Sequence, residues 1–358
     1  MIRPGKAVLA AALWVGLVVS GPASAEEKAS SVAEEFGMGG FHELVIVVHD
    51  RERVAAAWRE VAGWKEVARG ALAPEVVALW GLPAGTRGEE TVLGNPGTDR
   101  GFLRLVELTA PADLRDGPRR LMRPGQQSWD TGGIFDFNVR AIDVTASLER
   151  LQRFGWDAMS EPVEFTFGPF TVREVLARGP DGIVVAMIER VAPTLEGWPH
   201  LERLSRVFNA TQIVRDFDTA LAFYREALGF EIYLEHHGAS KQPGPNVLGL
   251  PHNLATEIPR RVAILSPAGD NDGSVEILAF EGAVGSDYSA RSQAPNLGIH
   301  SMRFPVRRLD AYLARLAEHG IQPVAAPRTV TIEPLGQVRL TAVRSPEGAW
   351  IELYEPLP

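Results

Sequence analysis

The sequence contains no cysteine, and its charged residues are predominantly acidic. The absence of cysteine excludes disulfides, a thiolate nucleophile and cysteine metal ligands, so the fold must be stable through its core alone. The 36 basic residues are outnumbered by 45 acidic ones, which gives a formal net charge of −9. This balance argues against nucleic acid or an anionic membrane surface as a partner.

Long apolar runs are also scarce, and the one that stands out lies at the N-terminus. Arg3 and Lys6 form a short basic region before the apolar stretch 7–20, which is too short to span a bilayer comfortably. Ala23-Ser24-Ala25 then matches a small-x-small cleavage pattern. We predict a signal peptide over residues 1–25, with export to the periplasm or secretion and no membrane contact after cleavage. A retained N-terminal anchor is the alternative, and residues 26–40 are predicted to be a flexible leader.

The segment 206–230, RVFNATQIVRDFDTALAFYREALGF, has a counterpart upstream. An alternating strand pattern leads to Asp216, which opens a helix with one apolar face. Asp50 stands eight residues before Trp58, as Asp216 stands eight before Tyr224. The stretch WREVAGW (58–64) aligns with YREALGF (224–230) without a gap. An internal repeat of this kind predicts a fold built from similar modules.

Four such modules follow one another, each with a strand, a helix and two or three further strands. They begin near Phe41, Gly132, Ser205 and Leu297. The stretch 111–130 is charged and contains proline and glycine, so we predict a linker there. We predict an α+β protein with a first domain at 41–191, a linker at 192–204 and a second domain at 205–358. Each domain is expected to pair two consecutive modules.

Several motifs resemble the vicinal oxygen chelate superfamily. They are FYREALGF, the Gly249-Leu250-Pro251 loop, the closing strand VEIL and the final SPEGAWIELYEP. That superfamily includes glyoxalase I, bleomycin-resistance proteins and extradiol dioxygenases. The resemblance covers nearly all of 41–356. It implies four βαβββ modules paired into two glyoxalase-like antiparallel β-cup domains, a small-molecule ligand, a divalent metal in a competent cup and a possible homodimer.

The resemblance places the chemistry in the second domain. It implies Glu276 and Glu352 as catalytic carboxylates, on the closing strands of modules three and four. With Asn209 they form a tentative ligand set for Zn, Ni, Mn or Fe. Substrate-binding positions carried over or placed beside Glu352 are Asn209, Ser301, Arg303, Trp350 and Tyr354. Three interpretations of the carboxylate pair stay open: metal or proton chemistry, a binding pocket neutralised by Arg303, and inert core.

In the first domain the corresponding residues are Glu43, Arg104, Asp136 and Ala186. Because Arg104 is a cation where a cation should bind, no metal is expected in that domain. We predict a buried ionic cluster of Glu43, Arg104 and Asp136 instead. In module four, His300 is expected to point to the face opposite Ser301, because neighbouring residues of a strand alternate.

The functional prediction is a lyase or isomerase of the glyoxalase type that moves a proton beside a carbonyl group. A non-catalytic small-molecule binder, similar to the bleomycin-resistance proteins, is the main alternative. Extradiol dioxygenation is less favoured, because Asn209 and Ser301 occupy positions where that chemistry needs histidine.

Overall fold

The structure is a computed structural model that describes residues 31–358. The segments predicted as strands and helices form the elements of four modules. Module one, preceded by α1 (Val32–Phe36), contains β1 (Glu43–Val48), α2 (Arg51–Ala62), β2 (Lys65–Ala71), α3 (Pro74–Leu79), β3 (Arg87–Gly94) and β4 (Phe102–Ala110). Module two, preceded by α4 (Ala112–Asp116), contains β5 (Asp136–Ala141), α5 (Val144–Gln152), β6 (Asp157–Ala158), β7 (Val163–Phe167), β8 (Phe170–Arg178) and β9 (Val184–Ala192).

The second half of the chain repeats this design. Module three contains β10 (Asn209–Ile213), α6 (Phe217–Ala222), β11 (Glu231–Gly238), β12 (Arg260–Ser266) and β13 (Ser274–Phe280). Module four contains β14 (Gly298–Pro305), α7 (Leu309–Glu318), β15 (Arg328–Ile332), β16 (Gly336–Arg344) and β17 (Trp350–Pro356). A π-helical turn, Phe223–Ala227, continues α6. The predicted helices after the first strands of all four modules are confirmed.

Aspartate caps start the first helix of modules one, two and three. The carboxylate of Asp50 accepts the backbone N–H of Arg53 at 2.9 Å, and Asp216 accepts that of Thr219 at 3.0 Å. Asp143 does the same in module two. An N-cap side chain satisfies a backbone donor that has no partner within the helix. Asp50 and Asp216, the aspartates that reveal the repeat in the sequence, therefore both serve as helix N-caps.

The strands form two sheets, and each sheet joins modules that are not paired in the sequence prediction. The first sheet has 8 strands in the order β15-β16-β17-β14-β1-β4-β3-β2, and the second has 9, in the order β11-β12-β13-β10-β5-β9-β8-β6 with β7 paired to β8. We call the concave face of the first sheet cup A, formed by modules one and four. The concave face of the second sheet is cup B, formed by modules two and three.

The prediction that consecutive modules share a cup is wrong. The first strands β1 and β14 pair antiparallel across cup A, and β10 and β5 pair antiparallel across cup B. Within each module the first and last strands run parallel, as in β1 with β4, so the sheets are mixed. Each cup thus takes one module from 41–191 and one from 205–358. The two sequence halves are intertwined through the sheets.

The main core lies between the convex faces of the sheets and the helices that cover them. There Trp58 stacks on Trp64 with ring centroids 5.1 Å apart, and Trp156 of module two meets Trp58 edge-on at 5.4 Å. Aromatic pairs in these arrangements add to the free energy gained from burial alone. The repeated motif WREVAGW therefore contributes to the packing of module one on module two.

Part of the predicted flexible leader is ordered. Residues 31–36 form a capped helix in which Ser31 and Glu34 exchange side-chain bonds with each other's backbone. Phe36 is buried and contacts Tyr312 of module four at 5.1 Å between ring centroids. The flexible-leader prediction is wrong for this part, because its apolar residues complete the core. The predicted signal peptide, residues 1–25, lies outside the described residues.

Candidate functional site in cup B

Cup A contains a chain of buried ion pairs. Arg104 donates to both oxygens of Glu43, at 2.9 and 3.1 Å, and to Glu90 Oε1 at 2.6 Å. Arg303 bonds to Glu43 as well, and its Nε and Nη2 lie 2.8 and 2.6 Å from Glu352 Oε2. Glu43, Arg104, Arg303 and Glu352 each expose 1% or less of their surface. The network therefore ties module one to module four inside the sheet.

The two arginines keep the carboxylates of cup A ionised. Burial opposes the charge of Glu43, yet Arg104 and Arg303 outweigh it and lower its pKa to about 2. The same competition leaves the pKa of Glu352 below its ordinary value, with Arg303 as the main stabilising charge. A carboxylate held in this way has no tendency to take up a proton near neutral pH.

The mouth of cup A is filled by the chain itself. Trp80, which follows α3, donates its indole N–H to Glu352 Oε1 at 3.0 Å. Ser301 donates to the same oxygen at 2.9 Å. His300 lies between the rings of Trp80 and Trp350, with Nδ1 at 3.8 Å from Glu352 Oε1. All these side chains are buried, so cup A is a packed interior.

Cup B carries acidic groups without such compensation. The register places Asp136, Thr211 and Glu276 opposite one another on the neighbouring strands β5, β10 and β13. Because adjacent strands lie about 4.8 Å apart, the row brings the two acids to the same region of the concave face. Glu174 joins them from β8. None of the three carboxylates forms an ion pair with a residue in the described part of the chain, 31–358.

Burial raises the pKa of each of these three acids, and neighbouring carboxylates add to the shift in Glu174 and Glu276. Burial raises the pKa of Glu276 to about 8, with further contributions from the charges of Asp136 and Glu174. Burial and Asp136 raise the pKa of Glu174 to about 8, against a partial opposing effect of Arg140. Burial raises the pKa of Asp136 to about 7, although Thr211 and Arg123 favour its charged form. Asp136 Oδ1 has no hydrogen-bond partner among residues 31–358.

A polar ladder and an apolar wall complete cup B. Asn138 donates to Asn209 Oδ1, and Asn209 donates in turn to Ser274 Oγ at 2.8 Å. The surrounding apolar residues are Phe135, Leu176, Val184, Ala186, Ile213, Val262, Ile264 and Leu278. Glu174 and Glu276 remain partly accessible, unlike the carboxylates of Glu43 and Glu352. A concave apolar surface with a few placed polar groups is typical of small-molecule sites.

The comparisons with known proteins agree with this architecture. Residues 204–353 match the model of the Glyoxalase/Bleomycin resistance protein/Dioxygenase superfamily. This part of the chain is similar to that superfamily. It is also 24% identical over 152 residues to the Escherichia coli K12 protein YaeR, an alignment that covers 42% of this chain and 97% of YaeR.

The superfamily fold extends over both halves of the chain. Glyoxalase I from Zea mays matches with a TM-score of 0.56 and 15% identity, covering 88% of this chain and 92% of the maize enzyme. A Bacillus subtilis structure described as a putative dioxygenase matches with a TM-score of 0.53 and 12% identity, over 90% of this chain and 86% of the other. At these identities the matches show the fold alone. The predicted superfamily resemblance and β-cup fold are confirmed.

The site residues predicted for one superfamily cup lie in two different cups. Asn209 and Glu276 are in cup B, whereas Ser301, Arg303, Trp350, Glu352 and Tyr354 are in cup A. The predicted pairing of Glu276 with Glu352 is therefore wrong, because it rests on the wrong pairing of modules. The predicted contact of Arg303 with a carboxylate is confirmed. Trp350 and Tyr354 lie on β17, the strand that carries Glu352, and are buried in the apolar cluster of cup A.

Two further expectations need correction. The cluster of Glu43, Arg104 and Asp136 forms only between Glu43 and Arg104, because Asp136 lies in the other sheet. His300 and Ser301 both approach Glu352, although the alternation of a regular strand would separate them. The register between β1 and β14 shifts at this point. Such an irregularity redirects a side chain.

Superfamily members commonly bind a divalent metal, so we tested the donor residues of each cup. In cup A, two arginines already neutralise Glu43 and Glu352. The tentative set of Asn209, Glu276 and Glu352 is divided between the cups. Among residues 31–358, no group of three or more histidine, aspartate or glutamate side chains is placed to hold a metal ion. The residues therefore do not fit the metal centre that the superfamily implies.

The sequence prediction missed two features of cup B. Asp136 was assigned to an inactive cup, and Glu174 was not selected. A usable signal was present in β5, where Asp136, Asn138 and Arg140 alternate with buried apolar residues. Polar residues repeated along one face of an otherwise buried strand indicate a lined cavity. In addition, no helix within 31–358 is both long enough and apolar enough to cross a membrane.

Proposed function

We propose that cup B binds a small oxygenated organic molecule and that Glu276 transfers a proton at a carbon next to its carbonyl group. The observation that carries the proposal is the set of three uncompensated carboxyl groups on one concave face, with Glu276 partly accessible. The activity class is then a lyase or an isomerase. In this proposal cup A stabilises the fold and takes no part in the reaction.

The electrostatics of cup B support an acid–base role. A carboxyl group with a pKa of about 8 is largely protonated at neutral pH, and its conjugate base is stronger than an ordinary carboxylate. Such tuning by burial and neighbouring charge is how enzymes make carboxyl groups exchange protons near pH 7. Burial is the main cause of the raised pKa of Glu276, and Asp136 and Glu174 add to it in their ionised forms.

The polar ladder supplies groups that can orient a substrate. Asn138, Asn209 and Thr211 lie on the two central strands of cup B, beside the row that contains Glu276. Amide and hydroxyl donors at such positions can bind a carbonyl oxygen and stabilise the negative charge that develops on it. Asn209, predicted to bind substrate, retains that role in the proposal through the second N–H of its amide, because only one is used in the bond to Ser274. Ser301 and Arg303 lie in cup A and bond to Glu352.

Hydrogen–deuterium exchange at carbon tests the proposal directly. Oxygenated carbonyl compounds that raise the melting temperature are incubated with the protein in D₂O, and exchange at the carbon beside the carbonyl is followed by NMR. We expect exchange with the wild-type protein and its loss in Glu276→Gln. Glu231→Gln is the matched control, because Glu231 is an exposed residue of the same sheet, on β11.

The non-catalytic binder makes the opposite prediction. If compounds bind but none exchanges, or if Glu276→Gln exchanges at the wild-type rate, the enzymatic proposal is refuted and sequestration is favoured. The Glu352→Gln variant tests whether the reaction takes place in cup A or in cup B. Loss of exchange in that variant at full retention of folding would assign the chemistry to cup A.

Export remains part of the proposal, based on the sequence of residues 1–25 alone. N-terminal sequencing of protein recovered from a bacterial host with an intact export system tests it. We expect the mature chain to begin at Glu26. A chain recovered with its original N-terminus would contradict the cleavage prediction.

A further inference from the structure

One end of cup B opens into a cavity of about 430 Å³ that contains two arginines. Its lining residues are Arg140, Arg190, Pro193, Thr194, Leu195, Glu196, Trp198, Tyr233 and Asn271. Arg140 is on β5, on the same face as Asp136 and Asn138, so the cavity continues the concave surface that carries the acids. Trp198 comes from the segment between the two sequence halves.

Neither arginine has an anionic partner. Within residues 31–358, the side chains of Arg140 and Arg190 form no ion pair and no hydrogen bond, and their Nε atoms are buried without an acceptor. Their contacts are with aromatic faces instead: Arg140 Cζ lies 4.3 Å from the centroid of Phe208, and Arg190 Cζ lies 3.9 Å from that of Phe170.

The contrast with neighbouring arginines is informative. On β8 of the same sheet, Arg178 binds both oxygens of Asp157 at 2.8 Å, and Arg173 is paired with two glutamates. These two partly exposed arginines have carboxylate partners, and a guanidinium group that loses hydration without one carries a cost. Glu196 is exposed at the rim and Glu174 acts on Arg140 only through space. The two cations are therefore available to an external anion.

We propose that this cavity is an oxyanion subsite, which takes a carboxylate or phosphate group of an organic ligand between Arg140 and Arg190. Guanidinium groups match such oxyanions in geometry and bind them with charge-assisted hydrogen bonds. The indole of Trp198 and the ring of Tyr233 flank the atoms next to the anionic group. The proposal of anion binding rests on this geometry alone and does not depend on the role of Glu276.

The subsite also specifies the substrate class, and this step rests on the proposed function of Glu276. Asp136 and Arg140 are four residues apart on β5, which corresponds to about 13 Å along the strand. A ligand anchored at Arg140 must extend by several bonds to bring a carbon to the acids. The substrate is therefore an organic acid or phosphate ester whose carbonyl group is separated from its anionic end.

Isothermal titration with inorganic phosphate and with succinate tests the subsite in the full-length protein. We expect binding by the wild-type protein and a loss of about tenfold or more in affinity for each of Arg140→Gln and Arg190→Gln, the effect of removing one charge-assisted bond. Arg190 lies near the end of β9 and is partly exposed, so its substitution preserves folding if that of Arg140 does not. Arg178→Gln is the matched control, with the same charge change in the same sheet, and should bind like the wild-type protein.

The outcomes separate the two proposals. Unchanged affinity in both Arg140→Gln and Arg190→Gln, or an equal loss in Arg178→Gln, overturns the subsite. Glu276→Gln is expected to retain phosphate and succinate binding while it loses proton exchange. If that variant keeps both, the subsite stands and the acid–base proposal fails.

Discussion

Replacement of Arg104 by leucine removes the centre of the ionic network in cup A. Arg104 makes two bonds to Glu43, one to Glu90 and one to the backbone oxygen of Glu333 at 2.5 Å, with only 1% of its surface exposed. After the substitution Glu43 keeps Arg303, but Glu90 loses its only ion-pair partner in the described chain. Removal of one partner of a buried ion pair typically lowers the free energy of unfolding by about 3–5 kcal/mol.

The expected change is large enough for a simple measurement. For a domain of this size, about 1 kcal/mol corresponds to roughly 2 °C in melting temperature, so Arg104→Leu should lower it by about 6–10 °C. Burial already raises the pKa of Glu90, so this residue can escape the penalty by taking up a proton. The destabilisation should therefore be smaller at pH 5 than at pH 8. Calorimetry or circular dichroism at the two pH values measures both effects.

The control and the refuting result are equally direct. Arg178→Leu removes another two-bond arginine–carboxylate contact, but Asp157 is 65% exposed, and such surface pairs contribute about 0–1 kcal/mol. Equal melting temperatures for wild type and Arg104→Leu would refute the inference that this buried ionic network stabilises the fold. A double-mutant cycle that combines Arg104→Leu with Glu43→Gln measures the interaction energy between Arg104 and Glu43 separately from the other lost contacts.

Two further predictions concern the separate electrostatics of the two cups. Glu276 has a folded-state pKa of about 8, raised from about 4.5 in the unfolded chain, so its burial is least costly while it is protonated and stability falls as pH rises from about 4.5 to 8. Glutamine cannot ionise, so the melting temperature of Glu276→Gln relative to wild type should increase across that range; parallel curves would contradict the raised pKa. In cup A, Trp80→Phe removes the indole donor from the buried carboxylate of Glu352 and should cost about 1–3 kcal/mol in urea unfolding, whereas an unaltered midpoint would show that this hydrogen bond is dispensable.

The local design of each module could be predicted from sequence because it depends on short-range chemistry. Alternation of apolar residues defines the first strands, and Asp50 and Asp216 mark helix starts through backbone hydrogen bonds. The match between WREVAGW and YREALGF follows from packing against the sheet, since Trp58 and Tyr224 are both fully buried. These features are encoded within about thirty residues of one another, and the structure preserves them.

The pairing of modules could not be derived in the same way. Every first strand has buried residues on both faces, so consecutive and exchanged pairings satisfy the same apolar pattern. The charges at the cup positions differ between the two pairings. Exchange places Arg104 and Arg303 with Glu43 and Glu352, whereas consecutive pairing would leave Arg104 with two acids in one cup. The same exchange leaves Asp136, Glu174 and Glu276 together in cup B without ion pairs among residues 31–358, so the charges do not identify the observed pairing either.

The exchange of modules also sets the order in which the protein can be completed during synthesis. Modules two and three are neighbours in the chain, so the ribosome releases every strand of cup B before module four exists. Cup A needs β1 and β17, and its contact between Trp80 and Glu352 spans 272 residues. The N-terminal module must therefore wait, with one edge of β1 paired to β4 and the other edge without its partner β14, until module four emerges. Cup A is completed when module four pairs with module one, and by then cup B can already be assembled.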